Sequence, residues 1–134
     1  NGLTMRTPVE GTVPRGMVPF PYEKTEEDRI LAGKEMTNPV PFNQANMEAG
    51  KTAYQVFCIS CHGEKGDGQG YLYTSGRYPY PPASIVNERV KEHADGEIYH
   101  AITVGYGVMG LHCAMISQEE RWKIIHYIRE ELQQ

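Results

Sequence analysis

The chain has no run of the ~18 or more apolar residues that a membrane-crossing helix needs, so no transmembrane span is expected in its 134 residues. It also lacks basic excess. Thirteen Lys and Arg stand against 17 Asp and Glu, a net charge of −4. That excludes the basic patch a nucleic-acid partner requires and suits docking on a basic protein surface. Strand-type alternation never persists, so no sheet is expected and a βαβ setting for a redox dithiol is missing. The N-terminus begins Asn1-Gly2-Leu3 without a signal-peptide pattern, and the sequence is expected to be a mature or trimmed form. Cysteine is scarce: Cys58, Cys61 and Cys113 are all there is.

Two of the three cysteines stand in Cys58-Ile59-Ser60-Cys61-His62. C-x-x-C-H is the attachment signature of c-type haem. On a helical turn the two sulfurs share a face and reach the two vinyl groups at one edge of a porphyrin. His62, four residues after Cys58, shares that face and offers an imidazole to the iron. The competing reading is a structural zinc site, which wants four protein ligands. Cys58, Cys61, His112 and Cys113 supply that number, without a second paired cluster. Cys113 is otherwise expected to be a buried thiol.

The sequence divides near residue 43. Six of nine prolines precede it: Pro8, Pro14, Pro19, Pro21, Pro39 and Pro41. Residues 1–43 form a proline-rich N-terminal extension, extended or turning, because proline fixes φ and donates no hydrogen bond. One short helix fits inside it, capped by Thr25, with acids in its first turn and a stop at Gly33. Met17, Val18, Phe20, Tyr22 and Phe42 make the extension too apolar for a solvated tail. It is expected to be a strap that packs on the domain or on a partner and serves assembly more than folding, so that deleting residues 1–35 removes neither the attachment motif nor the ligand loop and leaves haem binding largely intact.

Residues 44–134 read as one helical domain. A first helix runs from an Asn43 or Asn46 cap to Cys58. Gly50 in its interior costs about 1 kcal/mol against alanine and signals a close helix crossing. A short helix follows Asp95 and ends at Gly105. The last helix opens with the Ser117/Glu120 capping box and repeats apolar residues at Trp122, Ile125 and Ile128. Residues 64–82, rich in glycine and proline, are expected to be loop.

A sixth iron ligand has three candidates. Met109 lies in Gly105-Tyr106-Gly107-Val108-Met109-Gly110, a glycine-rich loop able to approach a flat ring closely. Met115 and His112 are the others. His100 and His126 fall within helices and are expected to be solvated or bonded to neighbours.

These motifs resemble a class I cytochrome c over residues 44–134, an all-α fold of a few short helices around one haem. A longer resemblance includes the extension. Pro8-Val9-Glu10-Gly11-Thr12-Val13-Pro14-Arg15-Gly16, Asn38-Pro39, Gly66-Asp67-Gly68, Pro81-Pro82, Asp95-Gly96, Gly105-Tyr106-Gly107-Val108-Met109 and Arg121-Trp122 with Tyr127-Ile128-Arg129 are similar to the monohaem cytochrome c subunit (ActE type) of bacterial alternative complex III. That family follows the loop methionine with Pro, a variable residue, Tyr and Ala. Here Gly110-Leu111-His112-Cys113 follows, so a brace is lost and His112 stands in the tyrosine's place. The N-terminal cysteine that often carries a lipid anchor in the family does not precede Asn1 in this sequence.

The resemblance implies a non-catalytic electron-transfer subunit with one covalent haem c. Cys58 and Cys61 bind the porphyrin, and His62 and Met109 ligate the iron. A backbone carbonyl between Pro79 and Pro82 orients His62. The implied partners are multihaem and iron–sulfur subunits of a quinol-oxidising membrane complex, with a downstream cytochrome c or terminal oxidase, on the periplasmic side of the membrane. A free-standing cytochrome shuttle and a five-coordinate haem sensor or peroxidase are the alternatives.

Overall fold

A computed structural model describes residues 8–134; the stretch of the expected extension at residues 1–7 lies outside the described residues. The described chain is helical. Its elements are α1 (Glu26–Glu35), α2 (Gln44–Phe57), α3 (Ile59–His62), α4 (Tyr71–Thr74), α5 (Glu88–Lys91), α6 (Asp95–Val104) and α7 (Gln118–Tyr127). A π-helical turn, Ile128–Leu132, extends α7. Among the described residues, β pairing is confined to one isolated bridge, Tyr106 with Met109. No described helix is long and apolar enough to cross a membrane.

Local chemistry sets the helix starts. The Asn43 side chain accepts from Asn46 N and caps α2. Ser117 and Glu120 form the reciprocal capping box of α7. Thr25 Oγ1 accepts from Asp28 N at α1. Each satisfies amide donors that a helix start leaves free.

Several details depart from the sequence reading. Helix α1 does not stop at Gly33 but continues to Glu35. Gly33 serves contact instead, because a Cβ there would lie 2.5 Å from Glu97 Cγ. Asp95 is the first residue of α6, not its cap, and Glu97 Oε2 accepts from Ala94 N. Asp95 instead accepts from Arg129 Nε at 2.9 Å. The expected loop at 64–82 contains the single turn α4.

The core forms where α2, α6 and α7 meet. Met47, Ala53 and Tyr54 pack with Ile98, Tyr99 and Ile102, and with Trp122, Ile124, Ile125, Tyr127 and Ile128. Each fully buried large side chain contributes roughly 1.5–3 kcal/mol. Tyr99 and Trp122 stack at 4.0 Å between centroids. Arg121 is also buried, and its guanidinium donates to Tyr99 Oη, Thr103 Oγ1 and the Cys113 carbonyl. That ion thereby joins α6 and α7 to the segment returning from the Met109 loop.

The extension packs on this core. Phe20, Met36 and Val40 lie against it. His100 Nε2 lies 2.7 Å from the Glu23 carbonyl, and His126 Nε2 2.7 Å from the Val40 carbonyl. As the sequence suggested, both helical histidines bond to neighbours.

Candidate functional site

The attachment motif occupies the end of α2 and the single turn after it. Cys58 terminates α2. The amides of Cys61 and His62 both donate to the Cys58 carbonyl, at 3.2 and 2.9 Å. The two thiols therefore stand one turn apart. Gly63, at φ 80°, ends the turn, and its carbonyl accepts from the buried Tyr54 hydroxyl at 2.8 Å. Gly70 lets the next loop lie directly on the motif, since a Cβ there would meet the Ser60 and Cys61 carbonyls within 2.5 Å.

His62 Nδ1 lies 2.9 Å from the Ala83 carbonyl. A carbonyl only accepts, so Nδ1 carries the proton and Nε2 keeps a free lone pair, the form a metal-ligating histidine takes. The orienting carbonyl thus lies one residue beyond the expected Pro79–Pro82 stretch. The preceding carbonyl, of Pro82, faces Gly68, where a Cβ would come within 2.5 Å of its oxygen. Burial, opposed by that hydrogen bond and aided by the His112 charge, lowers the His62 pKa and holds the ring neutral. Burial also pushes the Cys58 thiol up to about 12, with Cys61 adding to the shift. A redox C-x-x-C pair depresses its thiol pKa instead. None of the three cysteines is joined to another in a disulfide.

Cys58, His62 and Met109 line one cavity, together with Tyr54, Ile85, Ile98, Ile102, Ile124 and Ile128. The space it offers is about 740 Å³ with its open mouth counted. Met109 reaches it from a tight turn. Tyr106 and Met109 exchange backbone hydrogen bonds at 3.1 and 2.9 Å. Gly107 takes φ 55° at the first central position, as a II′ turn requires.

Cys61 is half-buried and is not on the cavity wall. Neither are the competing ligands. Met115 is exposed, and His112 donates from Nδ1 to the Gly110 carbonyl at 2.9 Å. Among the described residues, no group of three or more His, Cys, Asp or Glu is placed to hold a metal ion. The donor set does fit a c-type haem: two thiols one turn apart, a neutral imidazole with a free nitrogen, a thioether on the cavity wall and an apolar lining.

Sequence reasoning missed part of the wall. Arg29, Arg89, His93 and Glu97 also line it. Arg29 comes from the extension, and Lys24 Nζ donates to the Gly107 carbonyl at 3.0 Å. The extension therefore reaches the ligand loop as well as the core: α1 packs on α6 and covers one side of the cavity. No feature of the local sequence marks Arg29, which sits among charged residues in an apparently solvated helix.

Residues 45–128 match the family model described as Cytochrome C oxidase, cbb3-type, subunit III. No curated protein matches the chain in sequence. Among solved structures it is similar to the Kuenenia stuttgartiensis reducing HAO-like protein complex, at 24% identity and TM-score 0.58, over 74% of this chain and 50% of that one. It is also similar to cytochrome cL of Methylophaga aminisulfidivorans MPT, at 20% identity and TM-score 0.54, over 82% of this chain and 70% of that one. For cytochrome cL of Hyphomicrobium denitrificans the figures are 23% and 0.49, over 63% and 46%. The chain thus spans half the length of the Kuenenia protein, and the likenesses above TM-score 0.5 speak to fold alone. The family match takes in more than half of the residues and contains Cys58, Cys61, His62 and Met109, and the chain belongs to this family of cytochrome c electron-transfer domains, whose cofactor is covalently bound haem c.

Proposed function

We propose that Cys58 and Cys61 attach the haem, that His62 and Met109 ligate its iron, and that the chain is a relay without catalysis of its own. The bound haem supplies a one-electron couple; the protein tunes it through ligands, burial and hydrogen bonds. The observation that carries this reading is the convergence of Cys58, His62 and Met109 on one apolar cavity, with His62 oriented by Ala83. Two protein ligands leave no open iron position for substrate chemistry.

Within this reading the donor is a quinol-oxidising membrane complex of the alternative complex III type, with multihaem and iron–sulfur subunits. The acceptor is a periplasmic cytochrome or a terminal oxidase. The support is the extension motif beginning at Pro8. Docking falls to residues 8–18, where Val9, Val13, Met17 and Val18 are exposed. A free-standing shuttle is the second reading. It is favoured by Phe20, Met36 and Val40, which pack on the chain's own core and so are not offered to a partner.

The ligand assignment is tested by Met109→Ala. The oxidised wild type is expected to show the methionine–iron charge-transfer band. The variant should lose it, bind carbon monoxide or imidazole, and fall in reduction potential, while His112→Ala and Met115→Ala keep the wild-type spectrum. Loss of the low-spin spectrum in His112→Ala would make His112 the ligand. A wild type that binds carbon monoxide without losing a ligand would be a five-coordinate sensor or peroxidase. A pull-down from native membranes separates the complex-bound relay, which brings multihaem and iron–sulfur subunits, from the free shuttle, which brings none.

A further inference from the structure

Arg29 lies outside the family-matched segment, which begins at residue 45, yet it lines the cavity together with Cys58, His62 and Met109. It is only 7% exposed. A buried guanidinium is costly unless charges and hydrogen bonds compensate it. Two carboxylates do so from different helices. Nη1 donates to Glu97 Oε1 of α6, and Nε and Nη2 donate to the two oxygens of Glu26 on α1 itself. Its carbon Cζ also lies 5.5 Å from the centroid of the Tyr106 ring, in the ligand turn.

The placement is tightly determined. At Gly96 a Cβ would lie 2.2 Å from the Ala32 carbonyl oxygen, so α1 and α6 touch backbone to backbone. Glu97 is fixed as well, because its second oxygen accepts from Ala94 N at 2.7 Å. Arginine has five N–H donors in a planar fork, and the two carboxylates occupy three of them. One N–H on each terminal nitrogen remains. Arg89 and His93 line the same wall. Haem carries two propionates, and a guanidinium on the cavity wall with N–H donors still unpaired is suited to donate to a carboxylate.

We propose that Arg29 binds a propionate of the haem, so that the extension helix completes the cofactor site and raises its reduction potential. This rests on the haem reading above. A fixed positive charge beside the cofactor disfavours the extra positive charge of ferric iron. Glu97 acts through Arg29 as a positioning residue and contributes charge of the opposite sign.

The test is a redox equilibration of the holoprotein with a mediator of fixed potential at about pH 8. At that pH His93 is neutral, since burial and then the Arg29 and Arg89 charges lower its pKa. Arg29→Leu is expected to shift the ferric-to-ferrous ratio about tenfold towards ferric, ~59 mV for a one-electron couple. Arg29→Lys should recover most of the shift. Glu97→Gln keeps an acceptor for Ala94 N but loses the charge, and should shift the ratio towards ferrous. Opposite signs mark an electrostatic role; loosened packing would move both variants the same way. If both move towards ferric, or if Arg29→Leu leaves the ratio unchanged, the inference is overturned. Should Arg29→Leu fail to fold, the signs of Arg29→Lys and Glu97→Gln against wild type decide. Failure of the haem reading is distinguishable, because the unmodified protein would then lack covalent haem.

Discussion

Gly50 and the Lys123 carbonyl are in backbone contact: a Cβ at position 50 would lie 1.9 Å from the Lys123 oxygen and 2.4 Å from its carbon. Helices α2 and α7 cross there without room for a side chain. The same two helices, with Cys58 ending α2 and Ile128 opening the turn after α7, bring Tyr54, Cys58, Ile124 and Ile128 to the cavity wall.

Gly50→Ala therefore sets two effects against each other. Alanine gains about 1 kcal/mol of helix propensity. The clash is with backbone, which cannot rotate away, and overpacking costs typically ~1–3 kcal/mol and occasionally more. The clash should win. The variant should melt at lower temperature than wild type, and a thermal denaturation curve followed by circular dichroism checks this. An unchanged or raised midpoint would mean that the crossing is looser than described.

Replacing Cys58 and Cys61 together by alanine should abolish covalent haem retention through denaturing electrophoresis. The cavity walls would then enclose space that no side chain fills, and bound cofactor contributes to stability by mass action. The protein is expected to be largely unfolded or proteolytically sensitive. Haem that stayed with the polypeptide under denaturing conditions would refute the attachment assignment.

The acid limb of stability should include Glu120. Its carboxylate accepts from Ser117 Oγ and Ser117 N, at 2.8 and 3.0 Å. Those bonds, the side-chain one first, hold its pKa below the ordinary carboxylate value. A depressed carboxylate contributes stability that is present above the unfolded pKa, ~4.3, and lost as pH falls through the folded value. Glu120→Gln should flatten stability against pH in that acid window. Ser117→Ala should cost about 1 kcal/mol at neutral pH. Denaturant melts at pH 7 and in the acid window check both, and an unchanged acid slope in Glu120→Gln would remove this group from the account.

What the sequence disclosed divides along physical lines. Caps are local chemistry, so Asn43, Thr25 and Ser117 were legible as helix starts. Gly50 was legible because an interior glycine is unfavourable unless something lies against it. Arg29 was hidden, because in Thr25-Glu26-Glu27-Asp28-Arg29 it reads as one charge on a wet face; its burial depends on α6 crossing at Gly96, a contact made 67 residues later in the chain. Gly33 was misread as a stop for the same reason. The orienting carbonyl lies one residue further on, at Ala83, in a loop where Gly68 packs against the Pro82 carbonyl, a contact between distant residues that local sequence does not show.

The extension should divide into two functional parts on truncation. Deleting residues 1–17 removes the exposed Val9, Val13 and Met17 and spares the contacts of Phe20 with Tyr22, Tyr99 and His100. Fold, haem attachment and spectrum should be preserved, while association with a membrane complex weakens. Deleting residues 1–35 is a different operation. It removes all of α1, and with it Arg29 from the cavity wall, the Lys24 bond to Gly107 and the Glu23 carbonyl that pairs with His100. His100 is buried, so losing that partner leaves a polar ring unsatisfied at a cost of ~1–3 kcal/mol, besides the apolar burial lost at Phe20 and Ala32. The longer truncation should be destabilised by several kcal/mol, open the Met109 side of the haem to exogenous ligands and lower its potential. Thermal melts and imidazole binding on the two truncations check this. If the longer one matched the full chain in melting temperature and imidazole affinity, α1 would be a docking strap after all and no part of the haem site.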